Sequence, residues 1–357
     1  MTCQMVYHNG NCLNTKKAYT KTCRRCIEVC PYKAISEYRQ LDTKKCSECG
    51  ACMAVCPSDG FVDIMVDKFY EYLEETDEIR LNCPKALPAG FEIPCLGMLD
   101  RDSWKTLILW AKKKPVSIAA GICTACGDRA ACTVSVQAFK EVHESWPEHP
   151  GVQILVRPDN GQEGTEFKDI EAQKTVNKSF ALGNWRQKSM NKVEQWLPNL
   201  TADQTYPIPK SRQGLLRSLK NDEDDKIPFQ VLAVSKLCTN CGVCASICPQ
   251  GALQKTEEWD SDPAAKESPY EDKILSQKLI LEPQKCVHCN RCIEVCRIHA
   301  LSYSTKMLNY KYLTGKVLIH EGSPLYCKKC GKRIFDNTDL CLVCSTSDPN
   351  GRSSFFL

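Results

Sequence analysis

Apolar residues along the chain follow two kinds of period. Over residues 67–160 they alternate between helical and strand spacing. A helix over 67–75 leads to a short strand at 78–81 and an apolar run at 91–93. A helix over 102–113 carries Trp104, Leu107, Ile108 and Trp110 on one face, and a buried strand at 116–120 follows. A helix over 130–144 and a strand at 152–156 close the series. This alternation predicts a small α/β unit with a parallel sheet. Outside it, apolar residues come only as short runs after small-residue turns, at Ala34-Ile35, Gly60-Phe61, Ala252-Leu253 and Ala300-Leu301. Each is expected to be a short strand shielding whatever its preceding turn holds.

Between about residues 159 and 226 the pattern weakens. A helix over 184–197 is expected to bury Trp185, Val193, Trp196 and Leu197. Pro198, Pro207 and Pro209 make a connector, Leu215, Leu216 and Leu219 a short helix, and residues 221–226 a charged loop. The stretch reads as a strap between two modules. A polar, Pro-containing segment at 255–277 reads as a partner-contacting loop. The nearest approach to a long apolar run, 116–122, is far short of a membrane span.

Composition changes this picture through one residue type: 26 of the 357 residues are cysteine. The start, MTCQMVYHNGNC, carries no apolar export segment and no twin arginine, so a reducing cytoplasmic setting is expected, in which dense cysteines are metal ligands. Residues 237–298 hold Cys238, Cys241, Cys244 and Cys248, then Cys286, Cys289, Cys292 and Cys296, as two copies of C-x2-C-x2-C-x3-C. This pair resembles the bacterial two-cluster ferredoxins, in which the fourth Cys of each copy ligates the other cluster. The resemblance implies one [4Fe-4S] site of Cys238, Cys241, Cys244 and Cys296 and another of Cys248, Cys286, Cys289 and Cys292. The fourth Cys is expected to open a helix. Pro249 follows the first copy as in the family, whereas Arg297 stands in its place in the second, which is read as a local change at the helix start.

The N-terminal segment repeats the theme. Cys46, Cys49, Cys52 and Cys56 with Pro57 are complete, but the copy before it has Cys23, Cys26, Cys30 and Pro31 with Thr20 at the first ligand position. A hydroxyl suits a soft iron–sulfur core poorly. Cys12 is the nearest upstream thiol and is favoured over Cys3 on loop economy. The expected sites are Cys12, Cys23, Cys26 and Cys56, and Cys30, Cys46, Cys49 and Cys52, with a cluster lacking one iron left open. The run CIEVC at 26–30 recurs at 292–296, the mark of an internal repeat.

Cys83, the run Pro94-Cys95-Leu96-Gly97, a helix, a buried strand and Gly121-Ile122-Cys123 resemble the delta subunit family of methyl-viologen-reducing hydrogenases over about eighty residues. Thioredoxin-like [2Fe-2S] ferredoxins are a second resemblance. Both imply four thiolates around a two-iron core, taken here as Cys83, Cys95, Cys123 and Cys126. Cys132 competes for the last place and is otherwise a buried small apolar residue. A redox dithiol at Cys123 and Cys126 is the rival reading. In the tail, Cys327, Cys330, Cys341 and Cys344 form two knuckles matching a zinc ribbon, with a rubredoxin-type iron as the alternative.

The expected fold class is therefore α+β: a 2[4Fe-4S] ferredoxin-like module at 1–66, the α/β module at 67–160, the strap at 161–228, a second ferredoxin-like module at 229–318 and the ribbon at 319–357. The formal charge of +4 counts cysteines as neutral, and cluster ligation turns the loaded protein acidic, so no nucleic-acid partner is expected despite Lys112–Lys114. There is no phosphate-binding Gly loop and no haem motif, and the six His are scattered, with His288 and His299 flanking cluster ligands. The expected role is a non-catalytic subunit relaying single electrons within a hydrogenase-, dehydrogenase- or heterodisulfide-reductase-like complex, itself soluble, with a membrane-bound partner left open. The [2Fe-2S] site is its expected docking end. Two rivals are a thiol or disulfide reductase using Cys123 and Cys126, and an iron–sulfur sensor binding nucleic acid through its ribbon.

Overall fold

A computed structural model of the chain describes residues 4–88, 90–146, 155–158, 207–220, 224–259, 274–334 and 338–346. The helix expected at 184–197 and Cys3 lie outside the described residues. No described helix is long and apolar enough to cross a membrane.

The N-terminal module is built around a two-stranded antiparallel ribbon. Strand β1 (Met5–Tyr7) is followed by short helices α1 (Leu13–Lys16), α2 (Arg25–Val29) and α3 (Ala51–Ala54), then by β2 (Phe61–Asp63). Tyr7 pairs with Phe61 across the ribbon, their rings 5.0 Å apart. That pairing pins the chain start against the end of the second cysteine motif.

The middle module follows the alternation of periods closely. It runs α4 (Val66–Glu75), β3 (Ile79–Asn82), β4 (Phe91–Glu92), α5 (Arg101–Ala111), β5 (Val116–Ala120), α6 (Arg129–Ser145) and β6 (Leu155–Pro158). Its four strands lie in the order β4-β3-β5-β6, every pair parallel. Asp100 caps α5 by accepting from the Ser103 amide at 2.8 Å, which satisfies a free N-terminal donor. Phe69, Leu73, Ile79, Leu81, Leu107 and Ile118 form the core. The strap's described end is helix α7 (Lys210–Lys220), which buries Leu215 and Leu219 completely in that same core. Gly214 lies so close to the Tyr70 ring that a Cβ there would stand 2.2 Å from it, so only glycine lets the helix approach.

The second cysteine-rich module comprises β7 (Ile227–Val234), α8 (Val243–Ile247), β8 (Leu253–Trp259), β9 (Ile274–Leu281), α9 (Arg291–Glu294), β10 (Leu301–Leu308), α10 (Tyr310–Thr314) and β11 (Val317–Gly322). Strand β7 pairs antiparallel with β10, and β9 sits between β8 and β11. The segment 255–277 departs from the loop expected of it. Both of its ends are strands, with Glu257 opposite Gln277 and Lys255 opposite Leu279. Its polar residues hold each other across the hairpin, as in Gln277 donating to Glu257 at 2.8 Å and the Lys278–Glu258 pair at 2.5 Å. Leu253, Leu279 and Leu281 meanwhile face the core. Cross-strand pairing of this kind makes a polar stretch into a sheet.

A buried ion pair joins the middle and second modules. The Arg212 guanidinium meets Asp102 at 2.5 Å and donates to the carbonyls of Pro283, Gln284 and Cys286 at 3.2–3.4 Å. It also stacks 4.6 Å from the Phe229 ring centre. The tail then forms a small hairpin, β12 (Leu325–Tyr326) with β13 (Arg333–Ile334), and helix α11 (Leu342–Thr346).

Candidate iron–sulfur and metal sites

Each complete cysteine loop is shaped by backbone that turns its amides inward. Glu48, Asn240 and His288, two residues after the first Cys of their motifs, have φ of 60°, 52° and 49°. Gly50, Gly242 and Asn290, directly after the second Cys, have φ of 74°, 82° and 68°. Runs of left-handed residues make concave nests of N–H groups that suit an anion. The loop before Cys23, where Thr20 replaces a ligand, has no such residue.

The end of every motif repeats a second device. Lys33, Asp59, Gly251 and His299 each stand three residues after the fourth Cys with φ between 49° and 62°. The next amide donates back to the cysteine sulfur: Ala34 to Cys30 at 3.2 Å, Gly60 to Cys56 at 3.0 Å and Ala300 to Cys296 at 3.3 Å. The copy with Arg297 keeps this geometry, so proline is dispensable there. The fourth Cys also differs from its expected setting, because it closes a short helix. Cys248 ends α8 and Cys30 ends α2, and the helix is the link between third and fourth ligands, into which a three-residue spacing just fits.

The thiols gather in the crossed pattern. A cavity of about 20 Å³ is lined by Cys248, Cys286, Cys289 and Cys292, and another of about 20 Å³ by Cys30, Cys46, Cys49 and Cys52. Cys244 lies within electrostatic reach of Cys238, Cys241 and Cys296. Cys26 does so with Cys56, Cys23 and Cys12, where burial together with those neighbours pushes its thiol up to about 11. Thiols raised in this way give up their protons when iron takes the charge.

Cys12 reaches its place through the ribbon. His8 donates its amide to the Gly60 carbonyl at 2.7 Å, and the Ser58 hydroxyl donates to the Asn11 carbonyl at 2.7 Å. A Cβ on Gly60 would stand 3.2 Å from the Cys56 sulfur and 3.6 Å from the Cys12 Cα. The Asn14 side chain then bridges to Cys23, accepting from its amide at 2.8 Å.

The ten residues between Cys12 and Cys23 serve as more than a return loop, which sequence reasoning missed. They dock on the second module. Lys17 donates to the Ser246 carbonyl at 2.9 Å, Tyr19 to Glu294 at 2.7 Å, and Lys21 pairs with Glu294 at 3.0 Å. Arg291 reaches back to the carbonyls of Leu13 and Lys17 at 2.8 and 3.0 Å, stacked on Tyr19. At the centre, the Lys16 ammonium contacts Gln250. Burial lowers Lys16 to about 8, opposed by Cys56, Asp59, Cys12 and Cys248 around it. The basic character of the loop was the available signal.

In the middle module five thiols converge. Cys83 accepts from the Gly121 amide and Cys95 from the Gly97 amide, each at 3.3 Å. Cys132, on the first turn of α6, is buried beside Cys123, with Cys126 and Cys83 nearby. Cys95 in turn feels Cys132 and Cys49, and Ser47 donates to Asp128 at 2.6 Å, so this cup abuts the N-terminal module.

The four tail thiols, Cys327, Cys330, Cys341 and Cys344, lie within 4.8 Å of one another and could bind a metal ion. Amides of Cys341, Cys330 and Lys329 aimed at Cys327 lower it to about 6, whereas hydrogen bonds to Cys330 and Cys341 push Cys344 up to about 12. His288 bonds the Gln230 carbonyl at 2.8 Å between Phe229 and Tyr303, and His299 is exposed.

Comparison with known proteins follows this geometry. Residues 237–300 match the 4Fe-4S dicluster domain, and residues 20–65 the LdpA Fe-S cluster-binding domain. A "Ferredoxin 7Fe" of Hydrogenibacillus schlegelii is 33% identical over 69 residues, 18% of this chain and 81% of that protein. NADH-quinone oxidoreductase subunit I 2 of Symbiobacterium thermophilum is 31% identical over 80 residues, 22% of this chain and 28% of that protein. A probable pyruvate-flavodoxin oxidoreductase of Escherichia coli is 30% identical over 105 residues, 27% of this chain. The chain spans only 8% of that last relative's length. No solved structure matches. With cysteine loops built for cubane clusters and a ferredoxin matched over most of its length, the chain belongs to the ferredoxin family of iron–sulfur electron-transfer proteins.

Proposed function

We propose that the chain is a relay subunit for single electrons in a multi-subunit oxidoreductase. The observation that carries this reading is the apposition of the two cysteine-rich modules about Lys16, with Cys12 and Cys56 on one side of the ammonium and Cys248 on the other. The thiol sets then run in one line. The five-thiol cup meets Cys49, the set of Cys30, Cys46, Cys49 and Cys52 meets that of Cys12, Cys23, Cys26 and Cys56 through Cys52 and Cys26, and Lys16 leads to Cys248, Cys286, Cys289 and Cys292. Cys292 adjoins Cys244, and so the set of Cys238, Cys241, Cys244 and Cys296 ends the line.

Each four-thiolate set in the ferredoxin modules holds a [4Fe-4S] cluster, four thiols of the cup a [2Fe-2S] cluster, and the tail thiols a zinc ion. When bound, each cluster takes up and releases one electron, and its potential is set by burial and N–H···S bonds. Amides such as those of Ala34, Gly60 and Ala300 supply those bonds. Partner subunits dock at the two ends. The cup is one. At the other, Cys241 is exposed, and Leu237, Val243 and Ile298, each within two residues of a ligand of that set, are exposed as well. Exposed apolar residues around a redox centre suit a docking face.

Iron, sulfide and zinc counted on protein purified without oxygen test the reading, with about eighteen iron and one zinc expected per chain. About sixteen iron would leave the cup empty, and about seventeen would mean one cubane short of an iron. Lys16→Gln removes a positive charge between two cluster sites. Redox titration followed by EPR is expected to show both neighbouring potentials moved in the negative direction. Unchanged potentials would remove Lys16 from the handover.

A further inference from the structure

Five thiols converge in the middle module, one more than a four-thiolate site can use. Resting on the reading that the cup holds a [2Fe-2S] cluster, we propose that Cys132 is an iron ligand there, together with Cys83, Cys95 and Cys123, and that Cys126 is the thiol left over.

Three observations lead to this set. The sulfurs of Cys83 and Cys95 each accept an amide N–H, from Gly121 and Gly97, the same arrangement found at Cys30, Cys56 and Cys296. Such bonds stabilise a thiolate bound to a cluster. Cys132 is buried beside Cys123 and is the thiol that Cys95 feels most strongly, so it stands between the two sides of the cup. The backbone fixes it there: a Cβ on Gly97 would stand 2.8 Å from the Ala131 Cβ, which brings the turn carrying Cys95 directly onto the first turn of α6. Only glycine permits that approach. Cys126 ends the 3-10 turn Cys123–Ala125. It is less buried than Cys83 and Cys132 and neighbours Tyr32 of the N-terminal module.

The spacing concealed this. Cys123 and Cys126 look like a pair along the chain, but the turn between them leaves Cys126 beside Tyr32 of the N-terminal module. Six residues further on, α6 brings Cys132 to the cup.

The test compares Cys132→Ala with Cys126→Ala in the full chain, purified without oxygen. Expected is a loss of about two iron per chain and of the two-iron EPR signal in Cys132→Ala only. Retention of about sixteen iron in that variant shows that the ferredoxin modules have folded. Cys132→Ser, which offers an oxygen at the same place, is expected to restore iron with shifted visible bands. Retention of the two-iron signal in Cys132→Ala overturns the proposal, as does a Cys132→Ser spectrum identical to wild type. A wild-type chain with only sixteen iron overturns instead the reading on which it rests, and this assignment with it.

Discussion

Cys12→Ala is expected to lose about four iron atoms per chain and to stop electron passage between the two ends, while Cys3→Ala keeps full iron content. Cys12 lies beside Cys56 because the β1–β2 ribbon and the Ser58–Asn11 contact hold it there. Its cluster site is also the one next to Lys16, at the junction of the modules. Removing one thiolate therefore breaks the line at its middle and separates two half-wires that each retain their own clusters. Reduction from one end, followed by EPR, should leave the far clusters oxidised. The reverse result, iron lost in Cys3→Ala and kept in Cys12→Ala, would move the fourth ligand to residue 3. An effect confined to the rate, with iron unchanged, would mean that the loop matters only for docking.

Arg212→Leu is expected to destabilise the chain by about 3 kcal/mol, the scale for breaking a buried ion pair from one side. Burial pushes the Asp102 carboxyl upward, but Arg212 and Lys105 outweigh it and hold it well below the usual carboxylate range. Without Arg212 the carboxylate keeps only Lys105, at 3.4 Å. Three carbonyls of the loop leading to Cys286 lose their donor as well. The denaturant midpoint followed by visible cluster absorbance measures the effect, and loss of the clusters ligated through Cys286 should precede loss of the others. A midpoint within about 0.5 kcal/mol of wild type, the range of ordinary surface substitutions, would show that the ion pair does not secure the junction. Arg212→Lys separates charge from geometry: one ammonium restores the pair with Asp102 but cannot also serve the carbonyls, so most of the loss is expected to persist.

Much of the fold was legible in the chain. In the middle module the alternation of periods located β5 at 116–120 and placed α4, α5 and α6 to within one or two residues, because parallel strands with crossover helices impose that order locally. The ferredoxin loops were equally plain, since a cubane corner demands a spacing that few other sites share. Two local expectations failed for identifiable reasons. The fourth Cys closes a helix because the chain must turn there to send the ligand to the other cluster. The polar stretch 255–277 begins and ends in strands because its charges are satisfied across the hairpin by residues twenty positions away.

The sequence by itself marked the cysteine loops and the order of helices and strands in the middle module, both of which depend on neighbours a few residues apart. Tertiary structure decided what spacing cannot express. It brought Cys12 to Cys56 across forty-four residues by ribbon pairing, turned residues 13–21 into a dock for α8 and α9, and brought Cys132 into the cup beside Cys123. Each of these is a contact between segments distant in the chain, fixed by packing and hydrogen bonds that no local pattern encodes.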